Sequence, residues 1–356
     1  MPSVLLLSRY DRLGASSRLR LLDFAAPLAR AGITVTPAPL FDDDYLRDLY
    51  AGRRTPAWRI AAAYARRLRT LLGAGRFDLV WLEKEALPWL PGAAETRLLG
   101  RVPYVMDIDD AWYLRYAEHR AAPVRRLLGG KFDALARGSR MVIAGNGHLA
   151  AWARGAGAPE VRIVPTVIDL DRYPPPVAPP PHRPVTVGWM GTRSTAPYLE
   201  MVAEPLARLA GEARLQVIGA DGVALPGVEV ACAPWTEDGE VAGLSRFDIG
   251  IMPLADGPWE RGKCGYKLIQ YMAAGRPVVA SPVGVNTEIV RHGETGFLAS
   301  TADEWAAALA ALAADPDLRA RMGAAGRRVV EERYTTQAVL PALADALRSA
   351  AGRPPA

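Results

Sequence analysis

The residues best suited to chemistry lie between Asp248 and Gly284, where DIGIMPLADGPWERGKCGYKLIQYMAAGRPVVASPVG reads as strand, loop, helix, strand and loop. The loop carries Gly257, Pro258, Gly262 and Gly265, and a helix opens near Tyr266. It closes at Ala274, with Gly275 as cap and Pro277 just beyond. A glycine-bearing loop that runs into a helix presents unpaired backbone N–H groups and the positive end of the helix dipole. With Arg261, Lys263 and Lys267 nearby this is an anion site, and a diphosphate is its natural guest. Helical spacing sends Leu268, Tyr271 and Met272 to the core and puts Lys263, Lys267 and Gln270 together on another stripe. Cys264 stands in the same loop, but no histidine lies near it in sequence, so it reads as a packed thiol.

Such loops need a sheet to hold them. Val4 to Ser8 is a buried strand, and the loop with Arg9, Asp11, Arg12 and Gly14 leads into a helix expected from Ser16 to Ala31. Val185 to Trp189 repeats the pattern, running through Met190, Gly191, Thr192, Arg193, Ser194 and Thr195 into a helix expected to reach Ala210. Two further strands end in charge: Phe77 to Leu82 before Glu83, Lys84 and Glu85, and Val102 to Met106 before Asp107, Asp109 and Asp110. Open parallel sheets bind ligands at the carboxyl ends of their strands, so both clusters are expected to face a cleft. Ala122 to Gly138 reads as one basic helix, and Asp42 to Asp44 as the cap of another.

Half of the 356 residues are hydrophobic, enough for two domains. Seven prolines in the eleven positions from 174 to 184 mark the linker between them. The expected division is residues 1–173, the linker 174–184, residues 185–335, and a terminal helix with tail at 336–356. No stretch is long enough to span a membrane, and no basic flank precedes Val4 to Leu7, so a cytosolic protein is expected. Two cysteines and four scattered histidines offer no structural zinc site.

The net charge of +5 is unevenly shared. Residues 1 to 173 hold 26 Lys and Arg against 18 Asp and Glu, whereas residues 174 to 356 hold 17 against 20. No nucleic-acid module accompanies the arginines, so an anionic acceptor or the inner face of a membrane fits better than nucleic acid. Ala57 to Leu72 is an amphipathic helix set with arginines. It can lie on anionic lipid, or equally bury its apolar stripe in the domain.

The run KLIQYMAAGRPVVASPVGVNTEIVRHGETGFL resembles the donor-binding signature of family 4 glycosyltransferases, and a weaker likeness extends over nearly the whole chain. The resemblance implies the α/β GT-B fold: two Rossmann-like domains facing each other across a cleft, with a C-terminal helix crossing back to the first. It implies a retaining transfer of a sugar from a nucleotide-diphosphate donor to an acceptor hydroxyl, with no cofactor and no required metal. Donor contacts are implied for Gly14, Gly191, Thr192, Arg193, Ser194, Lys263, Gly265, Tyr266, Lys267 and Gln270, and catalytic or orienting roles for Asp109, Asp110, Glu260 and Lys267. The sequence departs from the family where a pair of glutamates usually stands, with Gly262 at the first position and Gln270 at the second. Thr192 likewise takes the place of an arginine, and the histidine of the catalytic site has no counterpart. These departures keep a second reading open, a nucleotide-sugar or lipid-head-group binding protein without turnover. A nicotinamide enzyme is disfavoured, because neither first loop has the G-x-G-x-x-G spacing.

Overall fold

Strands apolar on both faces, alternating with helices, have to form parallel sheets covered on both sides. The computed structural model describes residues 1–100, 102–176 and 184–352, and it contains two such sheets of six strands each. The first comprises β1 (Ser3–Leu7), β2 (Thr34–Pro37), β3 (Leu79–Glu83), β4 (Tyr104–Ile108), β5 (Met141–Ala144) and β6 (Val161–Ile163). The second comprises β7 (Val185–Met190), β8 (Ala213–Ile218), β9 (Val230–Ala233), β10 (Ile249–Met252), β11 (Val278–Ala280) and β12 (Gly296–Leu298). Their orders are β2-β1-β3-β4-β5-β6 and β12-β11-β10-β7-β8-β9, and every pairing between these strands is parallel.

Each order reverses direction once, at β1/β3 in the first sheet and at β7/β10 in the second. Connections leave such a switch point on opposite faces of the sheet, so a crevice opens beyond the strand ends there. The loops singled out in the sequence, 191–195 and 253–265, follow β7 and β10. Arg9 and the triplet Glu83-Lys84-Glu85 follow β1 and close β3.

Several helices differ from expectation, each for a local reason. The segment from Ser16 to Ala31 is broken into Ala15–Arg20, a 3-10 turn at Leu22–Phe24, and Ala25–Arg30. Restarting at Ala25 puts Pro27 in a first turn, where its missing N–H leaves no bond unmade. The same reason applies after β7, where a 3-10 stretch, Ala196–Val202, gives way to the helix Ala203–Ala207 with Pro205 in its first turn. The basic helix divides at Gly129 and Gly130 into Ala122–Leu128 and Lys131–Gly138. Ala57–Leu72 forms as expected, and Asp42 caps Asp43–Tyr50 by accepting from the Tyr45 N–H.

The chain divides into two compact units. The first holds residues 1–166, 262–264 and 339–356, and the second holds 167–261 and 265–338. The first stretch ends before residue 173 because Ile168 and Tyr173 pack into the core of the second unit, and Ile168 also bridges to Thr335. Residues 177–183 of the proline-rich linker lie outside the described residues. The terminal helix, Thr336–Ala350, starts in the second unit and joins the first from Val339 onward. Arg162 holds it there through Asp345 at 2.6 Å, and Arg348 donates to the Ala31 carbonyl at 2.5 Å.

Gly250 in β10 leaves room for Tyr271, since a Cβ there would stand 2.4 Å from the Tyr271 ring. Tyr271 is fully buried, and its hydroxyl accepts from the Met190 N–H at 2.9 Å, fixing the helix Tyr266–Ala273 to the end of β7. Gly250→Ala is therefore expected to lower unfolding free energy by about 1–3 kcal/mol through overpacking, read as a lower urea midpoint. An unchanged midpoint would contradict this packing.

Candidate active site

In the second unit two loops from the β7/β10 switch point come together. The first, Gly191 to Thr195, is built from hydroxyls: Thr192 N–H donates to Thr195 Oγ1 at 3.3 Å, and the hydroxyls of Thr192 and Ser194 are 2.8 Å apart. Gly191 has to be glycine, because a Cβ would lie 2.5 Å from the Trp189 indole. Arg193 is 79% exposed and meets Asp221 at 3.7 Å. An ion pair so exposed contributes little, so the guanidinium can exchange partners readily.

The second loop ends at Gly265, which has φ +66 and would drive a Cβ to 2.3 Å from Ile289. Both the left-handed backbone and the contact demand glycine here. No side chain caps the helix that follows, and the N–H groups of Leu268 and Ile269 donate to the Gly265 carbonyl at 2.9 and 3.3 Å. Lys267, in that turn, sets its ammonium 5.4 Å from the centre of the Trp189 ring, bringing it beside the strand that leads into the hydroxyl loop. Tyr266 opens the same helix. Glu260, in the short helix Pro258–Arg261, accepts from the Tyr198 hydroxyl, while Arg261 is engaged by Asp256 at 2.6 Å.

The expected stripe of Lys263, Lys267 and Gln270 does not form. Gly265 turns the chain before the helix begins, and Lys263 belongs to the first unit, where its ammonium lies 3.7 Å from Asp110. Gln270 is 2% exposed, with Nε2 3.4 Å from the Tyr173 hydroxyl. Trp235 is half-buried against the core and donates to Glu240 at 2.9 Å, a packing role.

The first unit's switch point is held by buried charge. Lys84 bonds Asp109 at 2.9 Å and Glu83 at 3.3 Å, Lys131 bonds Glu85 at 2.6 Å and Glu95 at 2.8 Å, and Arg9 bonds Glu85 at 3.0 Å. Arg20 grips Asp107, which also accepts from the Trp81 indole at 3.3 Å. Glu83 receives the Arg9 N–H at 2.7 Å and the Ser17 hydroxyl at 2.6 Å, tying the loop after β1 to β3. Lys84 has φ +61, and the Glu85 N–H closes a tight turn onto the Glu83 carbonyl at 2.7 Å. A non-glycine residue in that conformation costs about 1–3 kcal/mol, which the surrounding ion pairs offset. Gly14 sits above this edge as the N-cap of Ala15–Arg20, and a Cβ there would lie 2.5 Å from Tyr10 Cβ.

Burial disfavours the charge on Lys84, but Asp109 and then Glu83 outweigh it and its pKa is raised. Burial likewise opposes ionisation of Asp109, which Lys84 and Arg20 nevertheless hold below the ordinary carboxylate range. At Asp107 burial wins over Arg20, and the pKa stands at about 6. The Cys264 thiol donates to the Asp109 carbonyl at 2.9 Å, and burial pushes its pKa up, so it is a protonated packing group rather than a nucleophile. Asn146 donates to the carbonyls of Gly262 at 3.0 Å and Lys263 at 2.9 Å, seating this tripeptide in the first unit.

Sequence reasoning missed Arg20, Lys131, Glu95 and Trp189 as parts of these sites. A signal was present for Arg20: Asp107 interrupts an otherwise apolar buried strand, and a carboxylate there requires a cation from elsewhere.

Residues 184–315, which contain the whole second sheet, match the family model described as Glycosyl transferases group 1. No curated protein matches the chain. Among solved structures, it is similar to HepE from Anabaena in complex with UDP-glucose, at 18% identity over 98% of this chain and 100% of that one, with a TM-score of 0.74. Sucrose-phosphate synthase from Thermosynechococcus elongatus is similar at 16% identity, covering 98% and 99%, TM-score 0.74. A glycosyltransferase from Rickettsia africae aligns at 13% identity, covering 98% of each chain, TM-score 0.65. At these identities the likeness shows the fold, which is GT-B.

Lys84→Met, which strands Asp109 and Glu83, is expected to cost about 3–5 kcal/mol of unfolding free energy; a loss under about 1 kcal/mol, the usual size for an exposed pair, would contradict the buried assignment. Folded Asp107 binds its proton to a higher pH than unfolded aspartate, so the folded state holds more protons between about pH 4 and its own pKa. Its contribution to stability therefore falls as pH rises through that window. Carbon-13 carboxyl NMR is expected to show one aspartate titrating near the value given above, and its absence would contradict the assignment.

Proposed function

We propose that this chain is a glycosyltransferase that moves a sugar from a nucleotide-diphosphate donor to an acceptor hydroxyl, with retention at the anomeric carbon. The observation that carries the reading is the meeting of the hydroxyl loop Gly191 to Thr195 with the uncapped helix Tyr266–Ala273. Both leave the switch point of a domain that matches group 1 glycosyl transferases, and Tyr271 and Met190 lock them together. HepE, which shares the fold, binds UDP-glucose in its crystal structure.

In this reading the second unit takes the donor. Arg193, Lys267, the N–H groups at Tyr266 and Lys267, and the hydroxyls of Thr192 and Ser194 neutralise the diphosphate as it departs. Gly191 and Gly265 let backbone approach it. Glu260, held by Tyr198, orients the sugar, and Gln270 supports the ribose side from its place beside Tyr173. The first unit contributes Asp109, Asp110 and Lys263, with Gly14 leading the helix above them, and takes the acceptor. As the bond from the anomeric carbon to the diphosphate oxygen breaks, the acceptor oxygen forms the new bond on the same face. Its proton passes to the departing diphosphate, so no protein base is required.

A binding protein without turnover is the second reading, favoured by Gly262 where a glutamate is usual and by the burial of Gln270. Both readings require the donor site. UDP-, GDP-, ADP- and dTDP-sugars are to be screened by thermal shift against wild type and Lys267→Ala. One donor class is expected to stabilise wild type by about 2.7 kcal/mol at a hundredfold excess over Kd, with most of the shift lost in the variant. No shift with any of them would overturn the proposed donor site.

A further inference from the structure

From Leu49 to Phe77 the chain has seven arginines and no carboxylate. The helix Ala57–Leu72 lies within this stretch, and its arginines are not where an amphipathic pattern would send them. Arg67 is buried and donates to the carbonyls of Ser8 at 2.6 Å and Ala38 at 2.9 Å. Arg66 donates to the Leu40 carbonyl at 2.9 Å, and Arg59 reaches Asp48 at 3.4 Å and Asp42 at 3.5 Å. These three guanidinium groups are thus committed to the protein, and Arg53, though exposed, meets Asp48 at 2.9 Å. The opposite face carries Trp58, Ala61, Ala62, Ala65, Leu68 and Leu72, spaced along one side of the helix and all exposed. Trp58 is 71% exposed and Leu72 61%. Leu49 and Tyr50, also exposed, end the preceding helix, and Arg53, Arg54, Arg69 and Arg76 are exposed around them.

We propose that this face docks on an anionic phospholipid bilayer. An apolar strip with tryptophan and tyrosine at one end suits the boundary between acyl chains and head groups, and the arginine rim adds attraction to an anionic surface. A second copy of the chain fits poorly, because it would set the exposed arginines of one rim, Arg54, Arg69 and Arg76 among them, against the same arginines of the other. The helix also has a fixed place: Arg67 binds the residue after β1, and Tyr64 donates to the Pro88 carbonyl at 2.9 Å, beyond the end of β3. The docking face is therefore tied to the same edge of the first sheet as Arg9, Glu83 and Lys84. An acceptor anchored in the bilayer would meet this unit at its ligand-binding edge, a step that rests on the glycosyl-transfer reading, whereas the docking does not.

The test is co-sedimentation of the full chain with vesicles of phosphatidylcholine alone and of phosphatidylcholine mixed with phosphatidylglycerol, at low and physiological salt. Binding to the anionic vesicles alone is expected, weaker as salt rises. Trp58→Ser combined with Leu72→Ser is expected to weaken it by about tenfold or more, as is Arg53→Glu with Arg54→Glu, while each variant keeps its thermal midpoint and its donor-induced shift. No binding to anionic vesicles at low salt, binding indifferent to both double substitutions, or self-association abolished by Trp58→Ser with Leu72→Ser would each overturn the proposal. Loss of the donor shift in every form, with vesicle binding intact, would instead count against the transfer reading.

Discussion

The residues at the first sheet's switch point are held by buried charges that neutralise one another. Lys84 is held in a left-handed turn between two carboxylates, and Glu83 uses its remaining capacity to bind the backbone of Arg9 and the hydroxyl of Ser17. Without that exchange the loop after β1 would lose two of its ties to the end of β3, and an unpaired charge would be left in the interior. Arg20 with Asp107 and Lys131 with Glu85 and Glu95 continue the same solution outward through the unit. Charge is used here for position, at the carboxyl ends of the strands, the edge where open parallel sheets generally take ligands.

The second unit solves its problem with small residues and hydroxyls instead. Gly188, Gly191 and Gly250 let aromatic rings approach the backbone, and a Cβ at any of them would collide with Phe247, Trp189 or Tyr271. Tyr271 then carries the position of the helix into the end of β7. Arg193 at this switch point is held loosely by comparison, since it shares an exposed carboxylate, and Lys267 lies beside an indole. An incoming phosphate can compete for partners of that kind, whereas it cannot displace Glu85 from Lys131. In the proposed function, the second unit's loops receive the anion.

Much of this was legible in the residue order. Apolar runs punctuated by glycine and proline located β1, β3, β4, β7, β10 and β11, and the helix Ala57–Leu72 was readable to its ends. What could not be read was local competition and distant pairing. Pro27 and Pro205 re-phase helices that look continuous by periodicity, and Gly265 removes Lys263 from a stripe that spacing alone would grant it. Arginines are the hardest case, since Arg67 and Arg69 stand two residues apart and one is buried while the other is exposed. Their long side chains allow either outcome, and the choice is made by carbonyls at Ser8 and Ala38 that only the fold brings near.

In the proposed function the donor bound at the second switch point is cleaved there. The direct measurement is release of nucleoside diphosphate from the stabilising nucleotide sugar, followed for wild type, Arg193→Ala and Lys267→Ala. Slow release by wild type, about a hundredfold slower in the Lys267 variant and reduced in the Arg193 variant, is what leaving-group stabilisation predicts. Saturable binding by wild type with no release, in the presence or absence of acceptor extracts, would contradict it.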